Sequence, residues 1–116
     1  MNSKDITVIK KIKKHVASII EYCADCRSLA EFEKNSMLVE ATVFNLMQIG
    51  ELAKTNLSDE AKNQIPGIPW NQIYGMRNRI VHGYEGVNMK IVWDTVSENI
   101  PELYDELEKV INEFCV

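Results

Sequence analysis

The stretch from Met37 to Lys54 limits the fold more than any other part of this 116-residue chain. Met37, Leu38, Val39, Ala41, Val43, Phe44, Leu46, Met47, Ile49 and Leu52 fall on nearly every side of a helical wheel. A helix apolar around its whole circumference has to be covered on all sides. A chain of this length makes one ordinary domain, here 1–116, with too few helices to cover this one unaided. One of its faces is therefore expected to meet a second copy of the chain, giving a homodimer.

The flanking segments also carry helical spacing. Ile6, Ile9, Ile12, Val16, Ile19, Ile20 and Cys23 recur in steps of three and four, which predicts an amphipathic helix from about Asn2 to Tyr22, with Asn2 or Ser3 as its cap. The polar stretch from Asp25 to Ser36 is expected to hold a helical turn around Leu29 and Phe32, and another is expected after Ser58. Pro69 suits the first turn of a helix that reads on to Gly83, a good C-terminal stop. Asn88 to Ser97 forms a further helix. Pro101 is expected to break or restart it, because proline lacks a backbone donor and constrains the residue before it. Glu102 to Phe114 closes the chain with Leu103, Leu107, Val110, Ile111 and Phe114 inward. No useful length alternates with period two, so the expected fold is an all-α bundle of four to five helices.

Composition narrows the function. No apolar run approaches the ~20 residues that cross a bilayer, and the start, MNSKDITVIKKIKK, lacks the apolar core of a signal peptide. A cytoplasmic location with no membrane association is the default. Cys23 and Cys26 form a CxxC, but zinc would need a second pair or histidines at ligand spacing, and redox chemistry of the thioredoxin kind would need a βαβ context. Cys23 reads instead as a continuation of the buried stripe of the first helix. No Glu-x-x-His pair offers ligands for a di-metal bundle, so no metal and no cofactor are expected. The net charge of −4 argues mildly against nucleic acid. It is unevenly spread, with Lys4, Lys10, Lys11, Lys13 and Lys14 near the start and Glu98, Glu102, Asp105, Glu106, Glu108 and Glu113 near the end. Such runs are usually solvated helix faces.

One segment carries chemistry: Met76-Arg77-Asn78-Arg79-Ile80-Val81-His82-Gly83-Tyr84. Histidine titrates unaided near neutral pH. Arginine is a permanent charge whose planar fork suits phosphate oxygens. Together they can cleave RNA without a metal, a base taking the 2′-hydroxyl proton while arginine holds the charge that develops on phosphate. Asn78 and His82, four apart, share a helix face. Arg77 and His82, five apart, lie roughly 140° around an ideal helix. They converge only if the helix loosens near Gly83 or if a two-fold axis joins two copies. His15, among lysines, reads as surface.

Arg77-Asn78-Arg79-Ile80-Val81-His82 has the R-x4-H pattern of the HEPN ribonucleases, with the polar residue that this family prefers directly after the arginine. His82-Gly83-Tyr84 extends it to R-x4-H-x-Y, which resembles the HepT-like toxin branch. Ile49-Gly50-Glu51, Ile68-Pro69-Trp70, Val92-Trp93 and Ile100-Pro101 follow the order of that branch. The resemblance implies a HEPN-type bundle and a metal-independent endoribonuclease toxin of a type II/VII-like toxin–antitoxin pair, commonly a homodimer with a cleft built from both subunits. It implies Arg77 and His82 as the catalytic pair and Asn78 as their supporting polar neighbour. It further implies a minimal nucleotidyltransferase antitoxin that silences the toxin by attaching AMP to Tyr84. Arg79 has no role that carries over. The alternative is a HEPN binding module that escorts a nucleotidyltransferase without cutting RNA. Its expected mark, a lost arginine or histidine, is missing from this sequence.

Overall fold

Asparagine and serine side chains set where the helices begin. Asn2 Oδ1 accepts from the Asp5 amide at 2.7 Å, Ser28 Oγ from Glu31 at 3.2 Å, Asn35 Oδ1 from Leu38 at 3.0 Å, Ser58 Oγ from Ala61 at 3.1 Å and Asn88 Oδ1 from Lys90 at 2.8 Å. Each cap satisfies an amide that the helix cannot, typically worth ~1 kcal/mol. Of the two candidate caps for the first helix, Asn2 is the one used.

The computed structural model describes residues 1–83 and 87–114. Its helical segments are α1 (Ser3–Tyr22), α2 (Leu29–Lys34), α3 (Ser36–Glu51), α4 (Asp59–Gln64), α5 (Trp70–Gly83), α6 (Met89–Asp94) and α7 (Ile100–Phe114). A wider π-type turn, Leu52–Asn56, extends α3, and another, Thr95–Asn99, joins α6 to α7. Among the described residues there is no strand. Four long helical paths and the two short helices α2 and α4 make the all-α bundle expected from the spacing. None of the described helices is long and apolar enough to cross a membrane.

The core forms where α1 packs on α3 and α7, and α3 packs on α5. Ile9, Ile12, Val16 and Ile19 of α1 are fully buried, as is Leu107 of α7. Phe32 of α2 is buried too, its ring 5.5 Å from that of Trp93. Asp5 is buried beside the start of α4, where its carboxylate accepts from the Ser58 amide at 3.1 Å and from the Ser58 hydroxyl at 2.8 Å. The same serine caps α4, so one carboxylate ties the α1 start to the α4 start. The charged ends of the chain lie side by side on α1 and α7, bridged by Lys13 and Glu108 at 3.9 Å.

The helix α3 is covered on one side only. Val43, Leu46, Ile49 and Gly50 are buried, while Met37 and Phe44 are 80% and 53% exposed. Next to Phe44, Val81 of α5 is 46% exposed, and the two line one apolar groove with Glu40, Val43, Met47 and Ile80. This α3–α5 face is open in the single chain.

Two expectations are corrected. Pro101 does not break its helix: Ile100 keeps helical angles (φ −63°, ψ −44°) and the path runs unbroken from α6 into α7. The π-type turn directly upstream widens the backbone where the proline ring and its missing donor would otherwise conflict with the preceding turn. Burial of Val96, Ile100 and Leu103 holds the helix on course. His15 is not a plain surface residue. It is half-buried, with Nδ1 2.8 Å from Asn45 Oδ1. Because Asn45 Nδ2 donates to the Ala41 carbonyl at 2.7 Å, its Oδ1 is the acceptor and His15 Nδ1 carries the proton.

Cys23 is buried on the α1 side, 3.5 Å from the Thr42 hydroxyl, as its place in the stripe implied. Burial pushes its thiol up. Cys26 is also raised, by desolvation and then by the Glu31 and Asp25 carboxylates. Both shifts reduce the thiolate that redox or metal chemistry needs.

Candidate active site

The buried residues of α5 decide where its polar ones go. Met76 and Ile80 are buried and Ile73 is partly so, three positions on one stripe of a 3.6-residue helix. With that stripe facing the core, Arg77 falls on the flank toward α3, and Asn78 and His82 fall on the outer face. Asn78 and His82 are both exposed, as is Arg79, which lies on the other flank in a groove with Ile91 and Thr95. Tyr84 lies outside the described residues.

Arg77 reaches α3 at a glycine. A Cβ added to Gly50 would collide with Arg77 Cβ and stand 2.7 Å from its Cγ, so the arginine stem lies directly on the α3 backbone. Its head is held as firmly. Nε and Nη2 both donate to Glu51 Oε1, and Nη1 donates to Asn78 Oδ1 at 3.0 Å. The Arg77 side chain is only 19% exposed.

Arg77 and Asn78 are thus brought together by a hydrogen bond. Arg77 and His82 are not: no hydrogen bond or ion pair joins them among the described residues, and α5 stays regular through Gly83. The helix does not loosen before Gly83 to bring them onto one atom. Glu51 is a site residue that reading the motif missed. Its only trace in the sequence is its place in Ile49-Gly50-Glu51. Among the described residues no three His, Cys, Asp or Glu side chains gather as a metal would require.

The close approach at Gly50 gives a direct test. Gly50→Ala should cost about 3 kcal/mol, the upper end of the overpacking range, because the added Cβ collides with the Arg77 stem; the ~1 kcal/mol that alanine gains over glycine in a helix offsets only part of it. The expected result is a fall of several degrees in melting temperature. A melting temperature at or above that of the wild type would mean that α3 and α5 separate without penalty.

A family model described as "Ribonuclease HepT-like" matches residues 9–110. A Caldanaerobacter subterraneus protein named "Putative RNase" is 38% identical over 84 residues, 72% of this chain and 74% of its own length. A Methanocaldococcus jannaschii protein of the same printed description is 31% identical over 114 residues, 97% of this chain and 93% of its own. A Thermococcus cleftensis protein named "Probable ribonuclease HepT" is 39% identical over 70 residues, 60% of this chain and 63% of its own. No solved structure matches the chain.

Proposed function

The chain belongs to the HepT-like ribonuclease family, and from that premise we propose that it is a metal-independent endoribonuclease toxin, acting in the cytoplasm as a homodimer. The observation that supports the reading is that one helix of a HEPN-type bundle carries both an anchored arginine, Arg77, and an exposed histidine, His82. His82 takes the proton of the RNA 2′-hydroxyl. The 2′-oxygen attacks the adjacent phosphorus, and the 5′-oxygen leaves and takes up a proton. Arg77 offers donors to the phosphate oxygens on which charge builds. The products are a 2′,3′-cyclic phosphate and a 5′-hydroxyl.

The open α3–α5 face, with Phe44 and Val81 exposed, is the surface on which the second copy is proposed to sit. Regulation is proposed to come from a minimal nucleotidyltransferase antitoxin that transfers AMP from ATP to the Tyr84 hydroxyl and releases pyrophosphate. The added phosphate would compete with RNA for the arginine and repel it by charge.

The test is cleavage of a labelled RNA by the purified protein, with and without EDTA, followed by analysis of the ends. Undiminished cutting in EDTA that leaves 2′,3′-cyclic phosphate is expected. Ends bearing 3′-hydroxyls, or activity that chelation removes, would refute the mechanism. Incubation with the partner and ATP should add the mass of AMP to the peptide carrying Tyr84 and leave Tyr84→Phe unmodified. Equal modification of that variant would place the site elsewhere.

A further inference from the structure

The Arg77 guanidinium is gripped in a way that leaves a defined part of it over. A guanidinium carries five N–H donors in one plane. Glu51 takes the Nε hydrogen and one on Nη2, and Asn78 takes one on Nη1. Among the contacts of the described residues, one hydrogen then remains on each terminal nitrogen. A phosphate accepts two such donors in a bidentate contact.

We propose that Glu51 is a positioning residue for RNA cleavage: by fixing the Nε–Nη2 edge of Arg77, it aims the remaining terminal N–H groups at the scissile phosphate. The inference rests on the ribonuclease reading above, in which Arg77 serves phosphate. Glu51 is well placed to do this. It is the last residue of α3, directly after the glycine on which the Arg77 stem lies, so stem and head are held by consecutive residues of one helix. The arrangement removes the rotamer freedom that a solvated arginine would have to lose at each turnover.

A carboxylate beside Arg77 also offsets part of its charge, and this separates positioning from attraction. If Glu51 mattered only through charge, removing it would strengthen both RNA binding and cleavage. If it only held α3 to α5, removing it would lower stability and leave the balance between KM and kcat alone. Positioning predicts a split, with binding kept or tightened while the chemical step slows.

The experiment compares Glu51→Ala, Glu51→Asp and Glu51→Gln with the wild type in three measurements: kcat on a short RNA, affinity for the uncleavable 2′-O-methyl form of that RNA, and thermal melting. Glu51→Ala is expected to lower kcat by about 10²-fold, the scale of an ångström-level misplacement, with affinity equal or higher. Glu51→Asp keeps the charge but draws the carboxylate back by one methylene, and should lose kcat similarly. Glu51→Gln keeps an acceptor oxygen at full reach and should restore most of it. If Glu51→Ala fails to fold, the Asp and Gln pair decides the question alone. Wild-type kcat in Glu51→Asp, or equal losses in Asp and Gln, would overturn positioning while leaving the ribonuclease reading intact. A wild-type protein that binds the 2′-O-methyl RNA but never cuts the natural one would overturn both.

Discussion

His82→Ala should reduce RNA cleavage by about 10²–10⁴-fold, the range of a lost general acid–base group, and Arg77→Ala by about 10²–10³-fold, the range of a lost charge-stabilising donor. The two losses should differ in their effect on the fold. His82 is exposed on the last turn of α5, so its truncation leaves the packing untouched and the melting temperature close to that of the wild type. Arg77 lies on Gly50 and holds Glu51 and Asn78, so its removal deletes contacts between α3 and α5 as well as the phosphate ligand. Glu51 is 36% exposed and stays hydrated when its partner goes, which keeps that cost small. Arg77→Lys is the sharper variant. It keeps the charge but has no planar fork to fill the Glu51 oxygen and a phosphate at once, so it should behave like Arg77→Ala in rate. Initial rates on a labelled RNA, read beside thermal melts, check all three. His82→Ala cutting at the wild-type rate would end the case for this histidine as the base.

The sequence carries the placement of this site better than its wiring. The stripe of Ile73, Met76 and Ile80 has helical spacing, and it turns His82 outward and Arg77 to the flank that Gly50 and Glu51 then hold. The apolar circumference of α3 is legible too, and Met37 and Phe44 are the part of it that this chain leaves exposed. Glu51 was not legible as a partner of Arg77, because 26 residues separate them and no local period links two helices across a glycine contact. Asn45 was a signal that could have been used. An amide on a helix so apolar has to find a partner or bear the cost of burial, and the partner is His15, whose lysine neighbours disguised it. Pro101 misled because its local preference is real. The burial of Val96, Ile100 and Leu103 outweighs it, and the backbone yields in the π-type turn instead. Tyr84 lies outside the described residues, so its part in regulation rests on the motif alone.

Mixing two dead variants should restore activity. A one-to-one mixture of Arg77→Ala and His82→Ala chains, refolded together, is expected to recover about a quarter of the wild-type rate on the proposed two-fold dimer. The reason lies in α5. Glu51 and Gly50 draw Arg77 onto the α3 flank, His82 lies roughly 140° further around the helix, and the helix is regular through both. The two groups of one copy therefore diverge. In the proposed dimer, a two-fold axis beside the open α3–α5 face, where Phe44 and Val81 are 53% and 46% exposed, would set Arg77 of one copy against His82 of the other. Random pairing makes half of the dimers mixed, and each mixed dimer holds one site with both groups and one with neither. Light scattering establishes whether dimers form, since a single chain is 13.3 kDa. If mixed dimers form and the mixture stays dead, then each active site draws its arginine and histidine from the same chain, and the role given to the α3–α5 face in catalysis is wrong.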